Sequence, residues 1–256
     1  MDLQDVYAQT VKAFLTPYYD VRIRECGERL VKVAPKHSHS WYCREMKLIS
    51  SPDVFLRETV YGMFLTARET LVEQGFDLKV YDGWRSIELQ EALFWHYMQL
   101  FTVKALGYAK HFAGRKSGKE IKAAFEELPE FAQARLKQEN RKYVSWPSKD
   151  RKRPSPHATG GAIDVWLYRN GRPVTLGVPF DYMREPAAAF WHLKHPNASW
   201  PEGSPVEVRR NRELLLRAMV GVGFSCYPHE IWHFNHGNQM SALVNNEVAC
   251  YGYIEP

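Results

Sequence analysis

Residues 227–237 read Tyr-Pro-His-Glu-Ile-Trp-His-Phe-Asn-His-Gly, and the way this run folds decides the architecture. Taken literally, His229-Glu230-Ile231-Trp232-His233 fits HExxH, in which two histidines four apart share one helical face. The flanks point elsewhere. The periodic run 211–221 stops at Gly221 and Gly223, Pro228 stands immediately before the motif, and His236-Gly237 closes a stretch rich in Ile, Trp and Phe. Such a stretch between turn residues reads as a strand, although proline is tolerated in a first helical turn. In a strand, Glu230 sits at the mouth, His233 lies within it, and His229 is incidental.

The partner for this strand lies some seventy residues earlier. Residues 161–168, Gly-Ala-Ile-Asp-Val-Trp-Leu-Tyr, form an apolar run of strand length interrupted by one carboxylate, Asp164. Before it comes Ser155-Pro156-His157-Ala158-Thr159-Gly160-Gly161. A histidine and an aspartate seven apart are not neighbours on a helix face. They meet if the chain turns back through the paired glycines, which tolerate positive φ and close backbone approach. A carboxylate in an apolar strand is costly unless paired or bound to a metal, so Asp164 is either a structural carboxylate or a ligand.

Upstream, 4–16 patterns as a short amphipathic helix, 20–33 as two short strands around Cys26-Gly27, and 53–74 as a helix capped by Asp53. Residues 76–81 alternate as a strand, Asp82-Gly83 marks a turn, and Ser86 caps a helix from Ile87 to about Val103. One helical pattern covers 118–140, Asn170-Gly171 is a turn, and 211–221 is a helix. Helices early and strands clustered late around short turns favour an α+β fold, with a mainly antiparallel sheet and flanking helices. The absence of GxGxxG and P-loop patterns argues against a nucleotide enzyme.

The 256 residues fit a single domain, 1–256. Residues 104–154 read as a basic helical insertion, with 14 Lys/Arg against 6 Asp/Glu; the remainder carries 20 against 23. A solvated helix face and loop account for that charge, and no aromatic-interleaved nucleic-acid module accompanies it. Neither nucleic acid nor membrane is expected as a partner. The N-terminus lacks the apolar run of a signal peptide, so the location expected is cytoplasmic, or periplasmic if a leader was removed. Cys26, Cys43, Cys226 and Cys250 form no CxxC pair and are expected as free buried thiols.

Together the two strand segments offer His157, Asp164 and His233 as ligands, with a fourth position open for water. That donor set suits a catalytic rather than a structural zinc. Glu230 suits a general base toward a metal-activated water. Arg85, in Asp82-Gly83-Trp84-Arg85-Ser86, is either a surface arginine at a helix start or the fixed cation that a developing oxyanion needs. His37, His39, His96, His111, His192 and His195 read as incidental, and His236 as a neighbour of the site.

The blocks VYDGWRS, RPSPHATGGAIDVWL, TLGVPFDYM, NRELLLRAMVGVGF and YPHEIWHFNHG occur in this order and resemble the D-alanyl-D-alanine dipeptidases of the VanX type. The likeness runs from about residue 18 to the C-terminus. It implies an α+β fold shared with D,D-carboxypeptidases and the hedgehog signalling domain. It also implies one zinc on His157, Asp164 and His233, Glu230 as base, Arg85 stabilising the transition state, and a small dipeptide as substrate. Ser155 and Asp181 match positions that bind the dipeptide and its ammonium group. Two departures stand out: Trp84 fills the aromatic place of the DGxR turn, and Glu230-Ile231-Trp232-His233 replaces Glu-Trp-Trp-His. The rival readings are a carboxypeptidase or endopeptidase acting on longer wall peptides, a non-catalytic zinc-binding domain, and an HExxH enzyme using His229.

Overall fold

The computed structural model describes residues 1–141, 144–147 and 150–255. The chain divides into two compact units, Met1–Trp84 with Asp150–Pro256, and Arg85–Lys149. Of the expected basic segment, Lys142, Tyr143, Ser148 and Lys149 lie outside the described residues.

The first unit begins with the helix Leu3–Ala13 and contains two antiparallel arrangements. Strands β1 (Leu30–Lys32) and β2 (Phe55–Arg57) form a ribbon. The main sheet comprises β3 (Asp77–Asp82), β4 (Ala162–Arg169), β5 (Arg172–Pro173), β6 (Ser225–Cys226) and β7 (His233–Asn235). Its order is β3-β4-β7-β6, with β5 also on β4 and all pairs antiparallel. The fold is therefore α+β, with the antiparallel sheet that the strand-like reading of 231–236 requires.

Strand β4 is the centre. It is buried from Ala162 to Tyr168, covered on both faces, which is why it reads as an apolar run rather than an alternation. Helices Glu58–Val72 and Pro205–Gly221 contribute to the same core. The first buries Val60, Phe64, Ala67 and Leu71 at helical spacing. Asp53 is not its cap: Phe55–Arg57 pairs with β1 first, and the helix starts at Glu58. Residues 20–33 yield only β1 and an isolated bridge from Ile23 to Ala249. The helix expected at 211–221 begins earlier, where Ser204 accepts the Glu207 amide and Pro205 occupies the first turn.

The second unit is helical. Ser86 caps the helix Ile87–Tyr97 by accepting the Leu89 amide, and a π-helical turn, Met98–Thr102, follows. The pattern at 118–140 is two helices, Gly118–Glu126 and Glu130–Asn140. Pro129 separates them, because the residue before a proline disfavours helical ψ. Phe94, Trp95, Phe125 and Trp146 make its aromatic core, and Asn140, fully buried, donates to the Phe94 carbonyl. Among the described residues no helix is long and apolar enough to cross a membrane. Of the four thiols, all free, only Cys226 is buried, and burial pushes it up to about 12; Cys26 is exposed.

Candidate active site

The sheet register assembles the site. Asp164 on β4 stands opposite His233 on β7, and on its other side opposite Asp82 on β3. Residues directly opposite in an antiparallel pair project to the same face. Asp82, Asp164 and His233 therefore form one row. An irregularity between Val80 and Asp82 makes the row possible: with Val80 opposite Val165, an uninterrupted register would set Tyr81 against Asp164.

His157 comes to this row from a loop. A single 3₁₀ turn, His157–Thr159, ends at Gly160, whose φ of 69° is left-handed. Glycine suits that conformation, and a Cβ would stand 2.5 Å from Leu30 Cδ2, so the leucine would have to shift. Buried Arg57 braces the turn from below by donating to the Thr159 carbonyl at 2.8 Å while paired with Glu25 at 3.0 Å.

The three side chains face one another with defined atoms. His157 Nε2 lies 3.2 Å from His233 Nδ1 and 3.4 Å from Asp164 Oδ2, and His233 Nδ1 lies 2.9 Å from Asp164 Oδ1. All three residues are buried, and their donor atoms lie within 4.8 Å of one another. A tetrahedral zinc with bonds of about 2.0–2.1 Å has donor–donor edges of roughly 3.3–3.4 Å. With each imidazole measured to its nearer carboxylate oxygen the separations of 2.9–3.4 Å are close to that size, and two imidazoles and one carboxylate suit such an ion.

The far side of the His157 ring shows how its nitrogen is chosen. His157 Nδ1 is 2.8 Å from the Gly83 carbonyl, with Asp82 Oδ2 at 3.4 Å. A carbonyl can only accept, so Nδ1 carries the proton and the Nε2 lone pair faces the triangle. Asp82 and Gly83 contact His157 from behind, although sequence reasoning took them only as a turn. The signal was there in the aspartate at a strand end, but the contact to a loop seventy residues away was not.

Glu230 occupies the turn joining β6 to β7. Its Oε2 lies 3.8 Å from His233 Nδ1 and its side chain is 21% exposed, the one member of the group open to solvent. The HEIWH segment is not helical. His229 is exposed, lies against Tyr227, and is outside the triangle. The turn is tied down by Ile231 N–H donating to Ala187 O and Ala189 N–H to Pro228 O. Arg212, fully buried, anchors that second loop by donating to the carbonyls of Leu176, Pro186 and Ala188. Trp166, Phe180 and Trp232 pack together beneath it.

The other expected residues fall as follows. Ser155 is buried two positions before His157, its Oγ accepting the Ala158 amide at 3.4 Å. Asp181 is half-buried with a left-handed φ of 60°, directly after the packed Phe180. Arg85 belongs to the second unit, where its guanidinium donates to Gln90 Oε1 at 3.0 Å and Gln90 donates to the Ser145 carbonyl.

A D-alanyl-D-alanine dipeptidase of Synechocystis sp. is 28% identical over 261 residues, spanning 94% of this chain and 98% of the relative. One from Escherichia coli is 33% identical over 99 residues, 38% of this chain and 46% of the relative. One from Enterococcus faecium is 35% identical over 82 residues, 31% and 36% of the two. A solved structure of the LdcB LD-carboxypeptidase matches with a TM-score of 0.38 and 16% identity, over 88% of this chain and 77% of that one. The family model described as D-ala-D-ala dipeptidase matches residues 117–253, a stretch that contains the whole triangle and Glu230. With more than half its length so matched, the chain belongs to the D-ala-D-ala dipeptidase family of peptidases.

Proposed function

We propose that the protein is a zinc-dependent dipeptidase that hydrolyses D-alanyl-D-alanine, or a similarly short peptide, in the turnover of peptidoglycan precursors. The observation that carries this reading is the convergence of His157 Nε2, His233 Nδ1 and Asp164 on one point, with the Glu230 carboxylate 3.8 Å from the His233 nitrogen. Those three residues would hold one zinc. When bound, the ion supplies a water acidified toward a pKa of about 7 and polarises a carbonyl.

The remaining work falls to the chain. Glu230, partly open to solvent beside the triangle, takes the proton of the attacking water and delivers it to the leaving amine. The buried row of Asp82, Asp164 and His233 fixes the ligands before substrate arrives, so little reorganisation accompanies the reaction. Arg85 is assigned to the developing oxyanion, and Ser155 and Asp181 to the dipeptide and its ammonium, from their match to the family's motifs. We read residues 1–256 as one dipeptidase domain carrying 104–154 as an insertion.

The test is a peptide panel with zinc added and then chelated: D-Ala-D-Ala, L-Ala-L-Ala, and a pentapeptide ending in D-Ala-D-Ala. Cleavage of the first, lost on chelation, is expected. Glu230→Gln should keep its zinc and lose about 10²–10⁴-fold in rate. Preference for the pentapeptide would make the protein a carboxypeptidase. A zinc-loaded sample that cleaves nothing would make it a binding domain.

A further inference from the structure

We infer that Asn235, steered by the cap of the last helix, selects the ring nitrogen through which His233 can hold a metal, and is thus a positioning residue for the metal centre. The inference rests on the zinc reading above.

The steering begins at the helix Gln239–Asn245. Its cap, Asn238, accepts the Ser241 amide on Oδ1 at 3.0 Å. A side-chain amide has one accepting end and one donating end. With Oδ1 held by the helix, Asn238 Nδ2 faces the other way and donates to Asn235 Oδ1 at 2.8 Å. That contact fixes the Asn235 amide in turn, because a flipped Asn235 would bring two donors together.

Asn235 is two residues beyond His233 on β7, so the strand's period of two puts both side chains on one face. Its Oδ1 lies 3.1 Å from His233 Nε2. An oxygen there only accepts, so once a metal takes Nδ1 the remaining ring proton lies on Nε2 and is held there by Asn235. Nδ1 is the atom at 3.2 Å from His157 Nε2 and 2.9 Å from Asp164 Oδ1.

The two imidazoles thus use opposite nitrogens for one geometric reason. His157 is oriented by a backbone carbonyl, which has no wrong end. His233 is oriented by a side-chain amide, which does, and the helix cap removes the ambiguity. Asn235 is fully buried and its Nδ2 has no hydrogen-bond partner among the described residues. Its buried environment serves the accepting end alone.

The test uses the full-length chain as wild type, Asn235→Leu and Asn238→Asp. Asn235→Leu removes the acceptor at similar volume. Asn238→Asp keeps an oxygen for the helix cap but turns the donor facing Asn235 into an acceptor, which should flip the Asn235 amide. Zinc affinity, from competition with a chromophoric chelator, should fall about 10–100-fold in both, the scale of lost outer-sphere partners. Long-range ¹H–¹⁵N spectra should show His233 protonated on Nε2 in zinc-loaded wild type, and in the metal-free chains the share of Nε2-protonated ring should fall from wild type to Asn238→Asp. Metal-free Asn238→Asp should still melt cooperatively because the cap oxygen is retained, at a temperature lowered by the carboxylate placed where Asn238 is buried. If Asn235→Leu does not fold, Asn238→Asp decides. Wild-type zinc affinity in Asn238→Asp, or Nε2 as the bound nitrogen, overturns the inference alone. A wild-type chain that binds no zinc overturns the metal reading and the inference with it.

Discussion

Replacing Gly83 by alanine tests whether crowding beneath the site is what aims His157. An added Cβ would run into the Phe55 carbonyl oxygen and stand 2.9 Å from Val54 Cγ1 and 3.0 Å from Leu56 Cδ2. Gly83 has no left-handed φ, so the effect is steric and not conformational. Ordinary carbon–oxygen contact is about 3.3–3.6 Å, so the backbones must part by roughly 1 Å. They cannot slide freely, because the same Phe55 carbonyl accepts the Trp84 amide at 2.6 Å. Moving Gly83 stretches its 2.8 Å bond from His157 Nδ1 beyond hydrogen-bonding range and releases the ring. Overpacking of this kind costs about 1–3 kcal/mol, which lowers the melting temperature by roughly 2–10 °C in a chain of this size. Releasing the ring should weaken zinc a further 10–100-fold or so, about 1.4–2.7 kcal/mol. Calorimetry on the metal-free chain reads the first quantity and chelator competition the second. A Gly83→Ala protein that melts lower yet binds zinc as wild type does would refute the coupling between packing and ligand orientation.

Three further outcomes are expected. Asp164→Ala should abolish zinc binding while His229→Ala leaves it intact; elemental analysis of the purified proteins decides, and the opposite pattern would restore the helical HExxH reading. Arg57→Ala should destabilise by about 1–3 kcal/mol, since it removes the brace under Thr159 and leaves the Thr159 and Gly252 carbonyls short of a donor, while exposed Glu25 keeps the Gly27 and Gly252 amides; urea unfolding within about 0.5 kcal/mol of wild type would contradict this. Burial, aided by Arg212, depresses His192 to about 4 from 6.5. The unfolded chain therefore binds the extra proton first, so stability is complete above pH 6.5 and falls by up to about 1.4 kcal/mol per pH unit toward pH 4. His192→Phe should flatten that segment of the denaturant midpoint against pH, and an unchanged slope would remove His192 as its source.

Much of the site was legible because its chemistry is concentrated in short patterns. A lone aspartate in an apolar strand and a histidine before two glycines flag themselves, and Pro228 with the glycines before it steers 229–236 away from a helix. What lay beyond reading was pairing at a distance. That Asp82 would stand opposite Asp164 depends on one irregularity after Val80, and that Gly83 matters depends on the Phe55 carbonyl behind it. The start of the helix at Glu58 was misplaced for the same reason. Phe55–Arg57 belongs to a ribbon with Leu30–Lys32, and tertiary pairing overrode a local Pro-Asp start signal. Pro129 and Ser204-Pro205 were errors of another kind, local signals present in the sequence and given too little weight.

The row across β3, β4 and β7 also bears on how fast an ion could come and go. Asp164 and His233 stand on strands hydrogen-bonded on both sides, and such ladders open only in rare, near-global excursions. His157 sits instead on a single turn, held by a few contacts at Gly83, Gly160 and Arg57. Two donors are thus a stationary half-cage and the third is a hinged door. Metal exchange should then keep time with the opening of one turn, staying nearly indifferent to mild denaturant while quickening sharply when that turn's supports are trimmed.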